Sequence, residues 1–419
     1  MSRPTRSRRA PRHAVVDLFS GAGGMSLGFH RHAAFELVAA VDAQIGKPSA
    51  GRGRLECNQS YAANIGMEPF ERDLRELDGA GLRELVRPRL GVRPVAVLSA
   101  CAPCTGFSRA NPNNHLDDDP RNNLVRRIAL WAEALEPAII VMENARELLR
   151  GNFTHHSAAL IADLARLGYR VEASVHRLDR LGLPQIRERA LLVAVRRELP
   201  DRRFEQLWRP LRVDPEAVTV RRAIAHLPPI AHGETHPRDP MHVSPRLARE
   251  QSRRRMAAIP KDGGSWLDLR EHPAGEALMT PAMRRIVASG KLGSHPDVYG
   301  RLAWDKPAVT IKRECAHVGN GRYAHPEQDR LLTVREMALL QGFPADVTFR
   351  SGSLANLYRH IGDAVPPLIA FQLAGLCAWI LGGSRPKPAE LVLPGTSLRP
   401  SDLSSTEAPR RVAEPASAR

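Results

Sequence analysis

From residue 14 to about residue 198, short apolar runs alternate with amphipathic stretches, and this rhythm limits the possible folds more than any other feature. HAVVDLFS (13–20), ELVAAVD (36–42), PVAVLSA (94–100), AIIVMEN (138–144) and RALLVAVR (189–196) read as strands. GMSLGFHRH (24–32) and NNLVRRIALWAEALE (122–136) read as helices between them. Such alternation predicts an α/β fold: a largely parallel sheet with helices on both faces. Ligands of such sheets sit beyond the carboxyl ends of the strands.

The rhythm stops near residue 198. Residues 200–300 are rich in Pro, Arg and His and show no repeated strand–helix unit. Alternation partly resumes at PAVTIK (307–312), followed by a helix in TVREMALLQGF (333–343). The segment 366–381 is apolar nearly all round, which predicts a helix buried against the first domain. Its apolar run, 368–381, is shorter than the roughly 20 residues a bilayer requires, so no membrane association is expected. The reading therefore divides the chain into a basic disordered arm (1–12), a catalytic and cofactor domain (13–198), a smaller irregular domain (199–325), closing segments that return to the first domain (326–383) and a disordered tail (384–419).

Lys and Arg number 61 against 45 Asp and Glu, a formal net charge of +16. That excess points to a polyanionic partner, most simply nucleic acid. An Arg-, Ala- and Pro-rich composition from a GC-rich genome produces the same excess. Five cysteines, an odd number, do not form a disulfide framework and fit a reducing interior.

DLFSGAGGMSLGF (17–29) is a strand entering a glycine-rich turn and a helix. It lacks the third glycine of the dinucleotide fingerprint and the Lys of a phosphate loop. It suits an adenosyl group without a phosphate, or a tight connection with no ligand. Asp42 at a strand end can hold ribose hydroxyls or cap a helix, and Asp73 is similar. Glu143 and Asn144 end another strand at the ligand-facing edge. In QIRER (185–189), alternation puts Gln185, Arg187 and Arg189 on one face, for anion or base recognition or as a charged edge. Cys101 and Cys104 form a CAPC pair. Zinc would need a second pair, and the other cysteines are isolated, so no metal is expected. The twenty-odd polar residues that follow resemble an active-site lid, which favours a single thiol nucleophile over a redox pair.

Seven segments in order then resemble the DNA cytosine-5 methyltransferases: DLFSGAGG, APCTGFS, Glu143-Asn144, QIRER, DKPAVTI (305–311), RLLTVREMALLQGFP (330–344) and GDAVPP (362–367). The resemblance implies a Rossmann-like S-adenosylmethionine-dependent domain and makes the irregular stretch a target recognition domain. It implies a duplex DNA substrate whose cytosine is flipped out of the helix. Cys104 would attack cytosine C6, with Glu143 and Arg187 as its catalytic partners. Phe19, Gly21, Gly23, Asp42, Asp73, Asp363 and Val365 would hold the cofactor. Pro103, Ser108, Arg121, Asn144, Gln185 and Arg189 would meet the substrate. No residue is assigned to the C5 proton, and water is the candidate acceptor.

The chain departs from the family at named places. Gly362-Asp363 stands where Gly-Asn is usual, exchanging an amide donor for a charge. Ala145 follows Glu-Asn in place of Val, Asp42 replaces a commoner Glu, and Cys101 occupies a position usually held by Gly. The expected protein is a monomeric, cytoplasmic bacterial enzyme, nucleoid-associated when bound to DNA, with a restriction or defence partner. Its rivals are a tRNA cytosine-5 methyltransferase of the same family and an inactive DNA-binding relative. The basic region 200–300 favours duplex DNA, and retention of Cys104, Glu143 and Arg187 together favours activity.

Overall fold

Six strands form one sheet: β1 (His13–Leu18), β2 (Phe35–Val41), β3 (Val95–Ala100), β4 (Ile139–Ala145), β5 (Tyr169–Arg177) and β6 (Glu188–Arg196). The structure is a computed structural model that describes residues 12–46, 53–104, 106, 107, 118–290, 292 and 297–403. The strand order is β2-β1-β3-β4-β6-β5. The first four strands are parallel, and β6 runs antiparallel to both of its neighbours. The sheet is therefore mixed and mostly parallel. Strand order reverses at β1, so a crevice opens beyond the carboxyl ends of β1 and β3. The glycine turn follows β1 and the CAPC loop follows β3.

Alternate residues of each strand enter different cores, as a two-residue period requires. Val15, Val97, Ile139, Val141 and Val193 lie on one side. Val16, Leu98, Ile140, Met142 and Leu192 lie on the other. The second side is covered by α3 (Gly79–Leu90), α4 (Leu124–Leu135) and α5 (His155–Arg166), after α1 (Gly24–Arg31) and α2 (Cys57–Ile65) have packed on the first. Later helices are α6 (Glu250–Ala258), α7 (Pro281–Ser289), α8 (Val334–Leu340), α9 (Leu354–Asp363) and α10 (Pro367–Ile380).

The predicted helix 366–381 is α10, and it packs tightly on α1. A Cβ on Gly28 would lie 2.4 Å from the Phe371 nitrogen, so only glycine allows this approach. Leu354–Ile380 has the length and hydropathy of a membrane span, but 89% of that window is buried inside the protein.

Three expectations change. β5 was not foreseen: YRVEASVHR lacks an apolar run because it is an edge strand, partly exposed along nearly all its length. PAVTIK forms no strand, only a single bridge from Ala308 to Gln185. The reading of a disordered tail from residue 384 fails for 384–403, where Leu391, Leu393 and Leu398 are buried. Leu393 and Leu398 pack with Leu368 and Phe371 of α10. The arm, residues 1–11, and 404–419 lie outside the described residues. Through 199–325 the buried cluster of the first sheet face continues without a break, taking in Phe204, Trp266 and Leu302.

Candidate active site

The CAPC loop is anchored from β4. Asn144 Nδ2 donates to the Ala102 carbonyl (3.0 Å), and its Oδ1 accepts the Ala145 amide (2.8 Å). Asn144 is fully buried with both ends of its amide used, so it positions the loop. The Glu143 amide donates to Cys101 Sγ at 3.3 Å. Burial pushes the Cys101 thiol well up, with the Glu143 carboxylate adding to the effect. Cys101 is thus a neutral packing residue, and both CAPC cysteines are free thiols. Pro103 locks φ just before the second thiol.

Cys104 is partly exposed at the mouth of the crevice. Burial by surrounding atoms raises its pKa; Arg189 opposes this most strongly, Glu143 and Asp363 add to it, and Arg187 also opposes it. The open site therefore holds a protonated thiol. Glu143 Oε1 lies 2.8 Å from Arg189 Nε and 4.0 Å from Arg187 Nη2. The 2.8 Å contact is an ion pair without the alignment of a hydrogen bond. Glu143 Oε1, Arg187 Nε and Arg189 Nε are buried and lack hydrogen-bond partners among the described residues. One acceptor and two donors beside a thiol are left for something else to satisfy.

QIRER keeps its predicted alternation. Gln185 and Arg187 point inward while Ile186 is exposed. The Gln185 side chain is nevertheless engaged within the protein. Its Nε2 donates to Gln341 Oε1 (2.6 Å) and to the Leu340 carbonyl (3.3 Å), and its Oε1 accepts the Ile311 amide (3.0 Å). Gln341 Nε2 in turn donates to the Ala364 carbonyl (2.8 Å). Arg187 Nη1 donates to the Ile311 carbonyl at 3.1 Å. Four of the sequence segments therefore meet at one buried amide network, which aims Arg187 at the thiol. Gln341 and Ile311 were not foreseen as parts of the site; the pairing of LLQGF with QIRER carries no short-range signal.

On the cofactor side, the chain turns sharply after β1. Phe19 has φ 59° and its ring stands edge-on to Trp131, with centroids 5.7 Å apart. Gly21, at φ 51°, donates its amide to Asp42 Oδ2 (2.9 Å), while Gln44 donates its amide to Oδ1 (2.6 Å). Asp42 thus ties the glycine turn to the end of β2, and burial raises its pKa. A Cβ on Gly21 would meet no atom within 4 Å, so the turn faces open space. Gly23 instead packs on Tyr61 at 3.0 Å from its would-be Cβ. Phe70 extends the sheet edge, donating its amide to the Ala40 carbonyl (2.7 Å) and accepting the Asp42 amide (3.1 Å). This brings Asp73 to the same end of the sheet, where Arg75 pairs with it and lowers its pKa. Val365 is buried, and its carbonyl would lie 2.3 Å from a Cβ on Gly24. Asp363 is therefore a near neighbour of the glycine turn. Its carboxyl sits deep in the crevice although one-third of the side chain is open, and burial pushes it up to about 6 against the pull of Arg313.

Asp118, where the described chain resumes after the CAPC loop, is tied to α5. Asp118 accepts from His156 Nε2 (2.9 Å) and lies 3.2 Å from His155 Nε2. These three residues offer ligand atoms within 4.8 Å of one another, a cluster that the sequence reading did not single out. Arg121 pairs with Asp119 and lies, partly exposed, in the short helix Pro120–Asn123. Ser108 lies outside the described residues.

A model of the C-5 cytosine-specific DNA methylases matches residues 13–379. The type II methylase M.HgiDII of Herpetosiphon aurantiacus is 33% identical over 86% of this chain and 94% of its own length. The type II methyltransferase M1.HphI of Haemophilus parahaemolyticus is 32% identical over 86% and 85%. Among solved structures, the Dnmt2 methyltransferase of S. pombe superposes with a TM-score of 0.55 at 15% identity, covering 88% of this chain and all (100%) of its own; that likeness is one of fold alone. From the glycine turn to α10, the match takes in every segment that builds the crevice, and the chain belongs to the C-5 cytosine-specific DNA methylase family, as a DNA (cytosine-5)-methyltransferase.

Proposed function

We propose that the protein methylates C5 of cytosine within a specific duplex DNA sequence, by flipping the base into the crevice and forming a transient Cys104–C6 bond. The observation that carries this reading is the set of orphaned polar atoms beside Cys104: Glu143 Oε1 as acceptor, Arg187 Nε and Arg189 Nε as donors. The polar edge of cytosine offers the matching complement, an amino donor at N4 and an acceptor at O2. A base stacked in a duplex cannot reach them, so it is extruded, at a cost of a few kcal/mol.

S-adenosylmethionine, when bound at the glycine turn, supplies an electrophilic methyl group on its sulfonium. The open face of Gly21 fits such a group, as do Asp42 and Asp73 at the strand ends. The protein's own residues do the rest. Cys104 gives up its thiol proton to water, and the thiolate Sγ bonds to C6, which moves electron density to C5. Glu143 accepts from N4 and favours protonation at N3 as charge develops. Arg189 and Arg187 favour the thiolate against the charge of Glu143. After methylation the C5 proton passes to water, the Sγ–C6 bond breaks and the C5–C6 double bond returns. Segment 105–122 is the lid over the flipped base, with Ser108 and Arg121 as its contacts to DNA. The irregular stretch 199–325 reads the target sequence. The setting is a bacterial restriction-modification or related defence system, with the protein acting as a cytoplasmic monomer.

Labelled S-adenosylmethionine, incubated separately with duplex DNA and with tRNA, tests the reading. Label enters duplex DNA with the native protein and not with Cys104→Ala, while Cys101→Ala still transfers. Label in tRNA alone, or transfer by Cys104→Ala, overturns it.

A further inference from the structure

The sequence reading passed over Arg313, and the structure places it in the crevice. Its Nη1 lies 2.9 Å from Asp363 Oδ2. Its Nε and Nη2 are buried without a hydrogen-bond partner among the described residues. A guanidinium with two buried free donors is an uncommon and costly arrangement unless a ligand completes it.

Two close approaches fix the pair beside the glycine turn. A Cβ on Gly362 would fall 2.3 Å from the Lys312 carbonyl and 2.7 Å from Arg313 Cα. Glycine there lets the end of α9 press directly onto residues 312 and 313. A Cβ on Gly24 would meet the Val365 carbonyl at 2.3 Å, which seats the start of α1 against the chain two residues past Asp363. The charges acting on Asp363 are Arg313, Glu314, Arg187 and Asp42, so it stands between the thiol side and the ribose side of the crevice. Glu314 is itself paired with Arg359 at 3.1 Å.

We propose that Arg313 and Asp363 form a two-sided reader for the amino-acid end of the cofactor: Arg313 donates Nε and Nη2 to its carboxylate, and Asp363 accepts its ammonium. This rests on the reading that S-adenosylmethionine is the methyl donor. A phosphate of the DNA is the competing anion, and the surroundings disfavour it. Asp363 and Asp42 lie close by, and two carboxylates beside one guanidinium repel a phosphate. A zwitterion, carrying its own cation for the carboxylate and its own anion for the guanidinium, meets both. The pair also accounts for the departure from Gly-Asn in the last motif. The charge that Asp363 introduces is balanced by Arg313 and used on the ammonium.

Calorimetry with two ligands tests this without any turnover. S-adenosylhomocysteine carries the amino-acid end; 5′-methylthioadenosine keeps the nucleoside and thioether and lacks it. Arg313→Ala weakens S-adenosylhomocysteine roughly 10- to 100-fold, the range for one or two charge-assisted hydrogen bonds, and leaves 5′-methylthioadenosine unchanged. Asp363→Asn weakens the first ligand by a smaller factor and again spares the second. Arg313→Lys, which keeps the charge and loses the fork, falls between native and Arg313→Ala. The ratio of the two affinities is the readout, because a partly unfolded sample weakens both alike. Equal weakening of both ligands, or no change in either, overturns the proposal. So does a loss of DNA affinity with the ratio unmoved, which gives Arg313 to a phosphate. A native protein that binds neither ligand sinks the cofactor reading itself.

Discussion

The sheet half and the irregular half solve the same problem by different means. Between residues 13 and 198 the buried backbone is satisfied by strand ladders and helices. Between about 250 and 336 few ladders exist, and buried arginines take their place. Arg301 is fully buried and donates to the carbonyls of Ile259 (3.2 Å), Met256 (2.7 Å), His325 (3.0 Å) and Gln328 (2.8 Å), besides pairing with Asp329. Arg322 Nη1 donates to the carbonyls of Gly263 (2.7 Å) and Arg301 (2.9 Å). Arg330 forms a bidentate pair with buried Glu336, at 2.8 and 2.7 Å. A planar fork with five donors can close several loops at once, which a strand cannot do for an irregular chain. The lesson bears on charge. Arg255, Arg301 and Arg330 count toward the net charge yet are spent inside the fold, while most arginines of 200–300 stay exposed.

The largest expected effect removes the fork at the centre of the irregular half. Arg301→Met leaves the carbonyls of Met256, Ile259 and His325 without a donor, takes one of two donors from Gln328, and leaves Asp329 without its buried partner. Breaking such a site costs about 3–5 kcal/mol. Chemical denaturation then shows either a lower midpoint or an early separate transition. A stability within 1 kcal/mol of native, a threshold well under that range, would refute the idea that arginine replaces strands here.

The two halves also differ in sign toward pH. In the sheet half, burial raises Asp17 to about 6, against the hydrogen bond from Ser26 Oγ. An acid raised in the folded state holds its proton longer there than in the unfolded chain. Stability is therefore fullest below the ordinary value of 3.8 and declines as pH rises toward about 6. The decline from this group amounts to roughly 3 kcal/mol at most. In the irregular half, burial acts to raise Glu336, and the Arg330 pair outweighs it and holds the carboxyl low. Its contribution is present above the unfolded value and lost as pH falls. Asp17→Asn should flatten the decline between pH 4 and 7, a window that spans that decline, while the acid limb set by Glu336 stays. Denaturation midpoints across that range measure both limbs, and an unchanged slope in Asp17→Asn removes Asp17 from the account.

A further test lies on the seam between the halves and the returning helix. Gly28→Ala drives a methyl into the backbone of Ala370 and Phe371, at 2.5 and 2.4 Å. Overpacking of this kind costs about 1–3 kcal/mol. The thermal midpoint should fall, and a neutral outcome would mean that α1 and α10 separate easily.

These contrasts also mark what could be read from the residues. Strands β1, β3 and β4 were legible because burial on both faces makes a continuous apolar run. The edge strand β5 was not, since its half-exposed face carries charge. In the site, Cys104, Glu143 and Arg187 were legible because strand ends point ligands at the crevice. Which way a polar side chain turns was not: Gln185 and Asn144 looked like contacts and are internal struts. Arg313 and Gln341 escaped because their partners, Asp363 and Gln185, are joined to them only by the fold.

The smallest expected effect separates structure from recognition inside one triplet, Arg253-Arg254-Arg255 on α6. Arg255 is buried and donates to the Leu278 carbonyl (2.6 Å) and to the Tyr299 hydroxyl (3.0 Å). Arg254, its neighbour, is exposed. Both add one unit to the net charge of +16, yet only the second is free to meet a phosphate. Arg254→Ala should leave stability within about 0.5 kcal/mol of native. If this face meets DNA, binding weakens modestly for every sequence, and the slope of affinity against salt drops by about one contact. Arg255→Ala should do the reverse, lowering the denaturation midpoint and leaving the salt slope of the folded protein unchanged. An equal loss of stability in both variants would erase the distinction between spent and available arginine. An unchanged salt slope in Arg254→Ala would move the DNA-facing surface away from α6.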